Sequence, residues 1–431
     1  MIFNLNVLLV GSGGREHALA WKITQSHLLE NLFIAPGNAG TRHLGTNVDI
    51  PYADINSLAK FAKENFIDLT IVGPEEPLAN GLVDRFSIEG LKVFGPTAKA
   101  AQLESSKTFA KELMNDFGIP TAMFSSVETI NEARKEIQKL GLPVVIKADG
   151  LAAGKGVYIC QNMNDVEKSL SDLFVDHKFG ESGNKVLIEE FMIGPEISVF
   201  AFTDGETISP LIAACDHKRI GEGDTGPNTG GMGAFSPSPL WNATLIKEIE
   251  QTIMNPAIFG MRNRGTKYVG VLFAGLMITQ EGPKVLEFNC RLGDPETQAI
   301  LPLMITDILE ACKACTEGTL DDVLFKWADE SCVSVVLTSG GYPSSYETGV
   351  PILGLETVDS DVNVFHAGTK ISQETNRIET NGGRVLAVAA KGQTIEIAKE
   401  KVYSNIDLIS FSNSYYRRDI ASKEKIESYK S

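Results

Sequence analysis

The 431-residue sequence predicts a multidomain protein of the α/β and α+β classes, with an N-terminal doubly wound parallel sheet and a small β-rich C-terminal domain. The first hundred residues alternate strand and helix patterns, and three of the strands end at glycine or proline turns, which is typical of doubly wound sheets. In the middle of the chain, a compact α+β run surrounds a lysine-bearing strand and a glycine-rich loop. The length allows about two to four structural units around a large core.

The N-terminal domain is expected to span residues 1–103. Its predicted strands cover 6–10, 31–35, 69–72 and 91–94, and its predicted helices cover 16–26 and 55–65. Ligands of a doubly wound sheet bind at the carboxyl ends of the strands. The turns GSGG, PGN and GPE are therefore the expected binding turns of this domain.

The central module is expected to span residues 104–327 and to have two parts. A helical stretch over 98–117 ends at GIP, and a compact α+β subdomain follows over about 122–192. The remainder is predicted to contain strands at 268–279 and 284–290 and a helix at 296–316. The C-terminal domain is expected over 328–431, with strands at 332–338 and 384–390 and a helix at 394–405.

The composition is that of an ordinary globular protein, and its net charge of −16 argues against nucleic acid as the main partner. No apolar run approaches the roughly 18 residues that a membrane helix needs. The N-terminus has no basic segment and no cleavage site of a signal peptide. Six cysteines in this length favour a reducing compartment, so we expect a cytoplasmic protein without a membrane partner.

The segment PVVIKADGLAAGKGV at 143–157 predicts a phosphate-binding element. Lys147 ends an apolar strand, and the loop that follows carries Gly150, Gly154, Lys155 and Gly156. Such glycines let backbone N–H groups approach a phosphate closely. The segment is not a Walker A loop, which would need Ser or Thr after Lys155. An ordinary strand with a surface turn is the alternative interpretation.

The segment GSGGREHALA opens a helix after the first strand, so a dinucleotide site has to be considered. The glycine spacing of that motif fails because Glu16 stands where its third glycine would be. The helix N-terminus at Gly13 and Gly14 can still bind an anion through free N–H groups, with help from Arg15. A single phosphate is therefore expected there rather than a dinucleotide.

The segment LEFNCRLGDPE at 286–296 predicts a metal site. In a strand, Glu287, Asn289 and Arg291 point to the same face. Carboxylate and amide oxygens suit Mg²⁺, and Arg291 beside them suits another anionic group. The alternative is a strand with one solvated polar face, but the preceding strand VGVLFAGLMIT is apolar on both faces and indicates a buried sheet.

Two further segments carry weaker signals. Asp216 to Arg219 directly precede the glycine-rich run GEGDTGPNTGGMG, which indicates a carboxylate- or phosphate-binding loop rather than a solvated turn. The strand VLIEEF at 186–191 suits the edge of an adenine, with Glu196 placed for ribose hydroxyls.

In combination, these segments resemble the ATP-grasp enzymes and, among them, the phosphoribosylamine–glycine ligase family. The matching strings include GGREHAL, APGNAG, GPEEPL, QLESSK, KADGLAAGKGV, EEFMIGPE, DHKR, GDTGPNTGGMGAFSP, VLEFNCRLGDPETQ, FHAGT, GGRVL and YRRDI. They run in the family's order from residue 13 to residue 420, so the resemblance covers nearly the whole chain. Some positions depart from the family's commonest pattern: Cys215, Phe273, Leu292 and Ala421.

The resemblance implies a central ATP-grasp module and a role for each matched position. The residues implied for ATP are Lys107, Lys147, Gly150, Gly154, Lys155, Gly156, Glu189, Phe191 and Glu196. Glu287 and Asn289 are implied as ligands of Mg²⁺ or Mn²⁺. The ribosylamine phosphate and sugar are implied at Gly13, Gly14, Arg15, Asn38 and Glu75, and glycine and its acyl phosphate at Asp216, Lys218, Arg219, Pro227, Asn228, Thr229 and Gly231. The implied catalytic residues are Lys147, Arg291 and Asp294.

The resemblance also implies a reaction in purine biosynthesis. ATP, glycine and 5-phosphoribosylamine would give glycinamide ribonucleotide, ADP and phosphate through a glycyl phosphate. A stand-alone monomer is expected. Two alternatives stay open at this point: an ATP-grasp ligase or carboxylase with a different acid substrate, and a non-catalytic nucleotide-binding or redox protein.

Overall fold

The N-terminal domain is a five-stranded parallel sheet in the order β3-β2-β1-β4-β5. A computed structural model describes residues 4–150, 156–178 and 180–428 of the chain. The strands are Leu5–Gly11 (β1), Leu29–Pro36 (β2), Thr46–Asn47 (β3), Leu69–Val72 (β4) and Val93–Phe94 (β5). The helices are Gly14–Ile23 (α1), Ile55–Glu64 (α2), Glu75–Ala79 (α3) and Leu82–Ile88 (α4), with a 3₁₀ turn at Thr41–His43.

The order of this sheet reverses between β1 and β4. Residues 7–10 of β1 are fully buried, because helices cover both faces of a doubly wound sheet. A crevice opens outside the carboxyl ends of β1 and β4 at such a switch point. The predicted binding turns GSGG and GPE follow these two strands, so the structure brings them together.

Two helices lead out of this domain, Ala98–Ser105 (α5) and Lys107–Asp116 (α6). The prediction of one helix over 98–117 was wrong. Ser106 has an extended backbone (φ −134°, ψ 108°), and its hydroxyl accepts a hydrogen bond from the N–H of Phe109 at 3.1 Å. This serine cap ends α5 and starts α6, which makes Lys107 the first residue of a helix.

A separate α+β subdomain follows, here called the lid. Its antiparallel sheet has the order β6-β9-β7-β8 and a hydrophobic core of its own. The strands are Phe124–Val127 (β6), Val144–Ala148 (β7), Val157–Cys160 (β8) and Val186–Glu190 (β9). Two helices cover it, Ile130–Leu140 (α7) and Met163–Phe174 (α8), and a 3₁₀ turn lies at Gly180–Gly183. The predicted two-part central module is thus present.

The rest of the chain, here called the body, is built on one eight-stranded antiparallel sheet of order β16-β15-β10-β11-β14-β17-β21-β18. Its central strands are Glu196–Thr203 (β10), Ile212–Asp216 (β11), Gly233–Ser236 (β14), Gly270–Thr279 (β15) and Gly282–Asn289 (β16). Its C-terminal strands are Ser331–Thr338 (β17), Val362–His366 (β18) and Arg384–Gly392 (β21). The small C-terminal domain therefore extends the sheet of the central module.

Two hairpins stand outside this sheet. They pair Arg219–Gly221 (β12) with Thr225–Asn228 (β13), and Thr369–Ile371 (β19) with Ile378–Thr380 (β20). Short 3₁₀ turns lie at Glu222–Asp224, Leu320–Asp322 and Leu355–Thr357. The glycine-rich segment 221–233, expected as a loop, thus contributes one strand of the first hairpin.

Helices pack on both sides of the body. They are Ala243–Ile249 (α9) and Asn255–Asn263 (α10), joined through a π turn at Glu250–Met254, then Glu296–Ile300 (α11), Ile308–Glu317 (α12), Ile395–Ile406 (α13) and Lys423–Ser428 (α14). The predicted single helix over 296–316 is interrupted by a 3₁₀ turn at Leu301–Leu303, because Pro302 supplies no N–H and Asp307 caps a new helix. No helix in the described ranges is long and apolar enough to span a membrane.

Candidate active site

The two predicted phosphate lysines meet at the loop between β7 and β8. Lys147 pairs with Val157 across this hairpin, and Lys107 donates from Nζ to the carbonyl oxygen of Gly150 at 2.7 Å. Gly150 has φ 106°, which favours glycine. Burial lowers the pKa of Lys107; nearby Glu287 opposes the shift and Lys147 adds to it. Gly156 closes the hairpin, whereas Gly154 and Lys155 lie outside the described residues.

A buried ion cluster lies beneath this hairpin. The Glu189 carboxylate oxygen Oε2 is 2.9 Å from Lys147 Nζ and 3.2 Å from Lys111 Nζ. Burial raises the pKa of Glu189, but the two lysines more than offset this effect, so the net shift is downward. Sequence reasoning missed Lys111. Its position four residues after Lys107, on the same face of α6, was the available signal.

The predicted metal pair lies on β16. Asn289 and Glu287 pair in register with Phe273 and Gly275 of β15, so their side chains share a face as predicted. Asn289 is buried and Glu287 is exposed to the cleft. Lys147 Nζ donates to the carbonyl oxygen of Leu286 at 3.3 Å, which places the lysine beside this strand.

The chemistry of this pair fits a hard divalent cation. Carboxylate and amide oxygens are the donors that Mg²⁺ and Mn²⁺ prefer. In the described ranges, no group of three or more His, Cys, Asp or Glu side chains can hold a metal ion by itself. A cation held by Glu287 and Asn289 therefore needs further oxygen ligands from a bound molecule, as a polyphosphate provides.

A charged cluster lies at the ends of β10 and β11. Lys218 Nζ is 2.6 Å from Glu196 Oε2, and burial raises the pKa of Asp216 while Lys218 opposes that rise. Glu296 of α11 accepts a hydrogen bond from the Ser198 hydroxyl at 3.2 Å. Burial, followed by the charge of Asp216, raises the pKa of Glu296 to about 7. Sequence reasoning missed Glu296, although it lies inside the matched string RLGDPETQ.

Arg291 connects the end of β16 to the N-terminal domain. Its guanidinium Nε lies 3.1 Å from Glu75 Oε2, and Nη2 lies 2.9 Å from Glu104 Oε1. Nη2 also donates to Asn289 Oδ1 at 3.4 Å. Burial would lower the pKa of Arg291, but the carboxylates of Glu104 and Glu75 outweigh this effect, so the pKa lies above its ordinary value. Glu104, within the matched string QLESSK, was not predicted.

The side chain of Glu16 packs against the glycines at the base of the crevice between β1 and β4. A Cβ atom at Gly11 or Gly73 would lie 2.5 Å or 2.1 Å from this side chain, so a larger residue at either position would have to displace Glu16. Glu16 Oε2 accepts the N–H of Gly13 at 2.6 Å, and Oε1 accepts from Arg15 Nε. The expectation of a free N–H at Gly13 was therefore wrong, because the side chain turns back onto its own helix N-terminus.

Asn38 is placed at the same crevice but is fully engaged within the protein. Its amide nitrogen donates to the carbonyl oxygens of Ser12 and His366, both at 2.8 Å. Its amide oxygen accepts from the N–H groups of Gly40 and Thr41. The side chain therefore shapes the loop after β2 and ties it to the C-terminal domain.

Asp294 is held by a residue that sequence reasoning did not single out, Arg384 of β21. Arg384 Nη2 lies 3.4 Å from Asp294 Oδ2, and Nη1 donates to the carbonyl oxygens of Asp294 and Gly230. Burial raises the pKa of Asp294, but Arg384 and Arg15 bring it below its ordinary value. Gly231 belongs to this joint, because a Cβ atom there would lie 2.3 Å from Pro295 Cδ.

The other predicted residues of this loop are less enclosed. Thr229 binds the carbonyl oxygen of Lys218 through both its N–H and its hydroxyl. Pro227 and Asn228 lie on the exposed strand β13, opposite Arg219, whose Nη1 donates to Gly226 within the hairpin. The described contacts do not connect Pro227 and Asn228 to Glu287 or Arg291.

The departures from the family pattern lie in the protein core. Cys215, Phe273 and Leu292 are buried, and the rings of Phe273 and Phe200 lie 4.4 Å apart. Ala421 is buried with φ 54°, in the left-handed region that favours the glycine frequent at this position. None of the four removes a charged group from the cleft.

The fold and the cleft define an ATP-grasp ligase, and comparison with known proteins identifies its family. Models of the phosphoribosylglycinamide synthetase N domain, ATP-grasp (A) domain and C domain match residues 5–104, 105–297 and 332–423. The chain belongs to this family of phosphoribosylamine–glycine ligases. It is thus an ATP-dependent enzyme of purine biosynthesis that forms a carbon–nitrogen bond.

The similarity to individual relatives extends over the whole chain. The phosphoribosylamine–glycine ligase of Caldanaerobacter subterraneus subsp. tengcongensis is 48% identical over 417 residues, covering 97% of this chain and 99% of the relative. The ligase of Escherichia coli K12 is 46% identical, covering 96% and 98%. The crystal structure of the Thermotoga maritima ligase has a TM-score of 0.84 at 34% identity, covering 96% and 100%. A Campylobacter jejuni biotin carboxylase, with a TM-score of 0.72 at 15% identity, shares the fold.

Proposed function

We propose that this cleft joins glycine to 5-phosphoribosylamine through a glycyl phosphate, with ATP as the phosphoryl donor. The observation that supports this most is the convergence of Lys107 and Lys147 with the oxygen pair of Glu287 and Asn289. Cationic groups and hard oxygen donors in one cleft suit a metal-bound polyphosphate. Arg291, adjoining this pair, then provides positive charge beside the transferred group.

The two steps follow from the chemistry of the substrates. An oxygen of the glycine carboxylate attacks the γ-phosphorus of ATP, and the bond to ADP breaks. The amine nitrogen of phosphoribosylamine then attacks the acyl carbon and loses a proton. Phosphate leaves and carries away one former carboxylate oxygen. Without phosphorylation, the carboxylate has no leaving group for an amine to displace.

The residues of the cleft position the reactants and neutralise charge. Lys107 and Lys147 are proposed to bind the polyphosphate, and the glycine-rich segment that carries Gly150 and Gly156 is proposed to keep water from the acyl phosphate. Glu189 and Phe191 are proposed to contact the base, and Glu196 is proposed to contact the ribose. A divalent cation, Mg²⁺ or Mn²⁺, held by Glu287 and Asn289 would screen the negative charges of the polyphosphate.

The two acceptor substrates are assigned to adjoining regions. The phosphate and sugar of the ribosylamine are proposed to lie at the β1/β4 crevice, with Arg15 and Glu75 as its charged groups and Gly14 at the first turn of α1. Glycine is proposed to bind between Asp216, Lys218 and Arg291, under the loop that contains Thr229 and Gly231. Asp294 then acts by fixing this loop through Arg384.

Isotope transfer tests the acyl phosphate directly. Glycine labelled with ¹⁸O in its carboxylate should deliver one labelled oxygen to inorganic phosphate for each amide formed. Coupled ADP release should require glycine together with 5-phosphoribosylamine generated in place, and bicarbonate or formate should not replace glycine. Unlabelled phosphate at full turnover would overturn the acyl phosphate, whereas ADP release with a different acid would overturn the substrate assignment.

We further propose that the chain acts as a monomer in the cytoplasm. Light scattering after size exclusion, with and without ATP and Mg²⁺, tests the first statement. A mass of about 47 kDa is expected in both conditions.

A further inference from the structure

Lys111 is a buried lysine that the proposed reaction does not use. This residue of α6 is only 2% exposed, and its ammonium donates to Thr121 Oγ1 at 2.8 Å. Thr121 in turn donates to the carbonyl oxygen of Val285 on β16 at 2.7 Å. A buried ammonium is costly unless it is paired, so a group must stabilise it. That group is Glu189, on the neighbouring strand β9 of the lid.

The two oxygens of Glu189 have different surroundings. Oε2 contacts both Lys111 and Lys147. Oε1 is buried, and no donor among the residues that the structure describes reaches it. A buried carboxylate oxygen without a donor is costly within a folded protein. It therefore indicates a ligand that brings an N–H or O–H group to this point.

Lys147 has two competing partners, the Glu189 carboxylate and the proposed polyphosphate. It pairs with Glu189 in this structure, yet the proposed function requires its charge at the polyphosphate. If Lys147 turns toward a phosphate, Glu189 loses one of its two cations inside a buried environment. Lys111 can stay, because Thr121 anchors it on the opposite side. The cost of releasing Lys147 thus depends on whether Lys111 is present.

We propose that Lys111 is a positioning residue for the nucleotide: it is the resident counter-ion of Glu189, which frees Lys147 for the polyphosphate and keeps Oε1 directed at a donor of the nucleoside. The proposal rests on the proposed function of the cleft. It predicts that Lys111 controls ATP binding and recognition of the nucleoside without contacting ATP itself. Glycine is proposed to bind at Asp216, Lys218 and Arg291, and none of these residues contacts Lys111 or Glu189 in the described contacts, so glycine binding should be independent of Lys111.

Two groups of ATP can supply the donor. One is the 6-amino group of the adenine, and the other is a ribose hydroxyl. Purine riboside triphosphate lacks only the amino group, and the 2′-deoxy and 3′-deoxy analogues of ATP each lack one hydroxyl. The wild-type enzyme should discriminate by about tenfold or more against the analogue that lacks the true donor. The other analogues should lose less.

The test compares four variants of the full-length enzyme. Lys111→Met removes the ammonium and keeps the apolar stem, and Thr121→Val removes only its anchor. The double variant Glu189→Gln with Lys111→Met removes the Glu189 carboxylate, which holds Lys147, and also removes the Lys111 ammonium that pairs with this carboxylate. Lys135→Met, at an exposed lysine of α7, is the matched control. Steady-state kinetics give kcat and KM for ATP, each ATP analogue and glycine.

Lys111→Met should raise the KM for ATP by about tenfold or more and leave the KM for glycine within about twofold. Thr121→Val should shift the same constant less, and Lys135→Met should not shift it. The double variant should bind ATP better than Lys111→Met alone, because no carboxylate holds Lys147 away from the polyphosphate. It should discriminate less between ATP and the analogue that lacks the donor, because the Glu189 carboxylate is gone.

Other outcomes overturn the proposal. Equal increases of KM for ATP and glycine, or a double variant that binds ATP no better than Lys111→Met alone, would make Lys111 a packing residue only. If the wild-type enzyme prefers ATP over every analogue by less than twofold, no group of the nucleoside donates a hydrogen bond to Glu189. Absence of glycine-dependent ADP release in the wild type would instead contradict the proposed function, so the two failures are distinguishable.

Discussion

The Arg291 guanidinium lies 3.1 Å from the carboxylate of Glu75, and this contact joins the end of β16 in the body to the β1/β4 crevice of the N-terminal domain. Both substrates of the amide bond are proposed to meet at this joint. The same guanidinium reaches Glu104 and Asn289, so it fixes the position of the predicted metal ligand as well. One planar guanidinium therefore holds the side chains of Glu75, Glu104 and Asn289, which come from three different elements, in fixed relative positions.

Replacing Arg291 by lysine should separate these roles. A single ammonium cannot replace the planar fork toward Glu75, Glu104 and Asn289, so we expect kcat to fall by about 100-fold or more. The KM for ATP should change by less than about threefold, since Lys107 and Lys147 remain. Coupled ADP release measures both constants. Arg134→Lys, in the exposed pair with Glu167 on the lid, is the control, and near-wild-type turnover of Arg291→Lys would contradict the assignment.

Replacing Lys147 by alanine should abolish glycine-dependent ADP release, with a loss of about 1000-fold or more. The fold should remain, because Lys111 still pairs with Glu189 beneath the hairpin. Circular dichroism and thermal unfolding check the fold, and the coupled assay checks activity. Lys168→Ala, at an exposed lysine of α8, should behave as the wild type. An active Lys147→Ala enzyme would remove this lysine from the phosphate site.

The sequence predicted those parts of the site that depend on local spacing. The alternation in β16 placed Glu287 and Asn289 on one face, and the register with β15 confirms it. The apolar run at 69–72 predicted a strand with these bounds, and β4 spans the same residues. The glycine turns after β1 and β4 correctly indicated a shared crevice, because parallel strands present their carboxyl ends at one edge of the sheet.

The parts that were missed depend on contacts between distant segments. Glu104 binds the N–H of Cys290, 186 residues away, and Arg384 binds the carbonyl of Asp294, 90 residues away. No local pattern contains such partners. The hydrogen bond between the Gly13 N–H and the Glu16 carboxylate is local. The sequence did not predict it, because a glutamate three residues after the N-cap of a helix can either fold back onto the helix start or point away from it.

Replacing Glu287 by glutamine should weaken the metal site without disturbing the strand. The amide keeps one oxygen donor but loses the charge, so the Mg²⁺ concentration at half-maximal activity should rise by about tenfold or more. Titration of activity against free Mg²⁺, and electron paramagnetic resonance of Mn²⁺ bound in the presence of ADP, measure this effect. Glu281→Gln lies in the turn before β16 and is the matched control. An unchanged metal requirement would place the cation elsewhere.

The buried pair of His17 and His366 should make the joint between α1 and β18 sensitive to acid. His17 Nδ1 accepts the N–H of His366 at 2.6 Å, and burial lowers the pKa values of the two side chains to about 3 and about 4. The unfolded chain, with ordinary histidine pKa values near 6.5, therefore binds protons that the folded joint excludes. Stability is fully present above about pH 6.5 and declines as the pH falls toward the folded-state values.

Between pH 7.5 and pH 5, each of these histidines should cost about 2 kcal/mol of unfolding free energy. His17→Asn keeps an acceptor near Nδ1 but does not titrate, so it should lose less stability than the wild type over this range. Urea unfolding at the two pH values measures the difference. His177→Asn, at an exposed histidine of the lid, should retain the wild-type loss. Equal losses for His17→Asn and the wild type would mean that the joint opens or admits water before His17 is protonated.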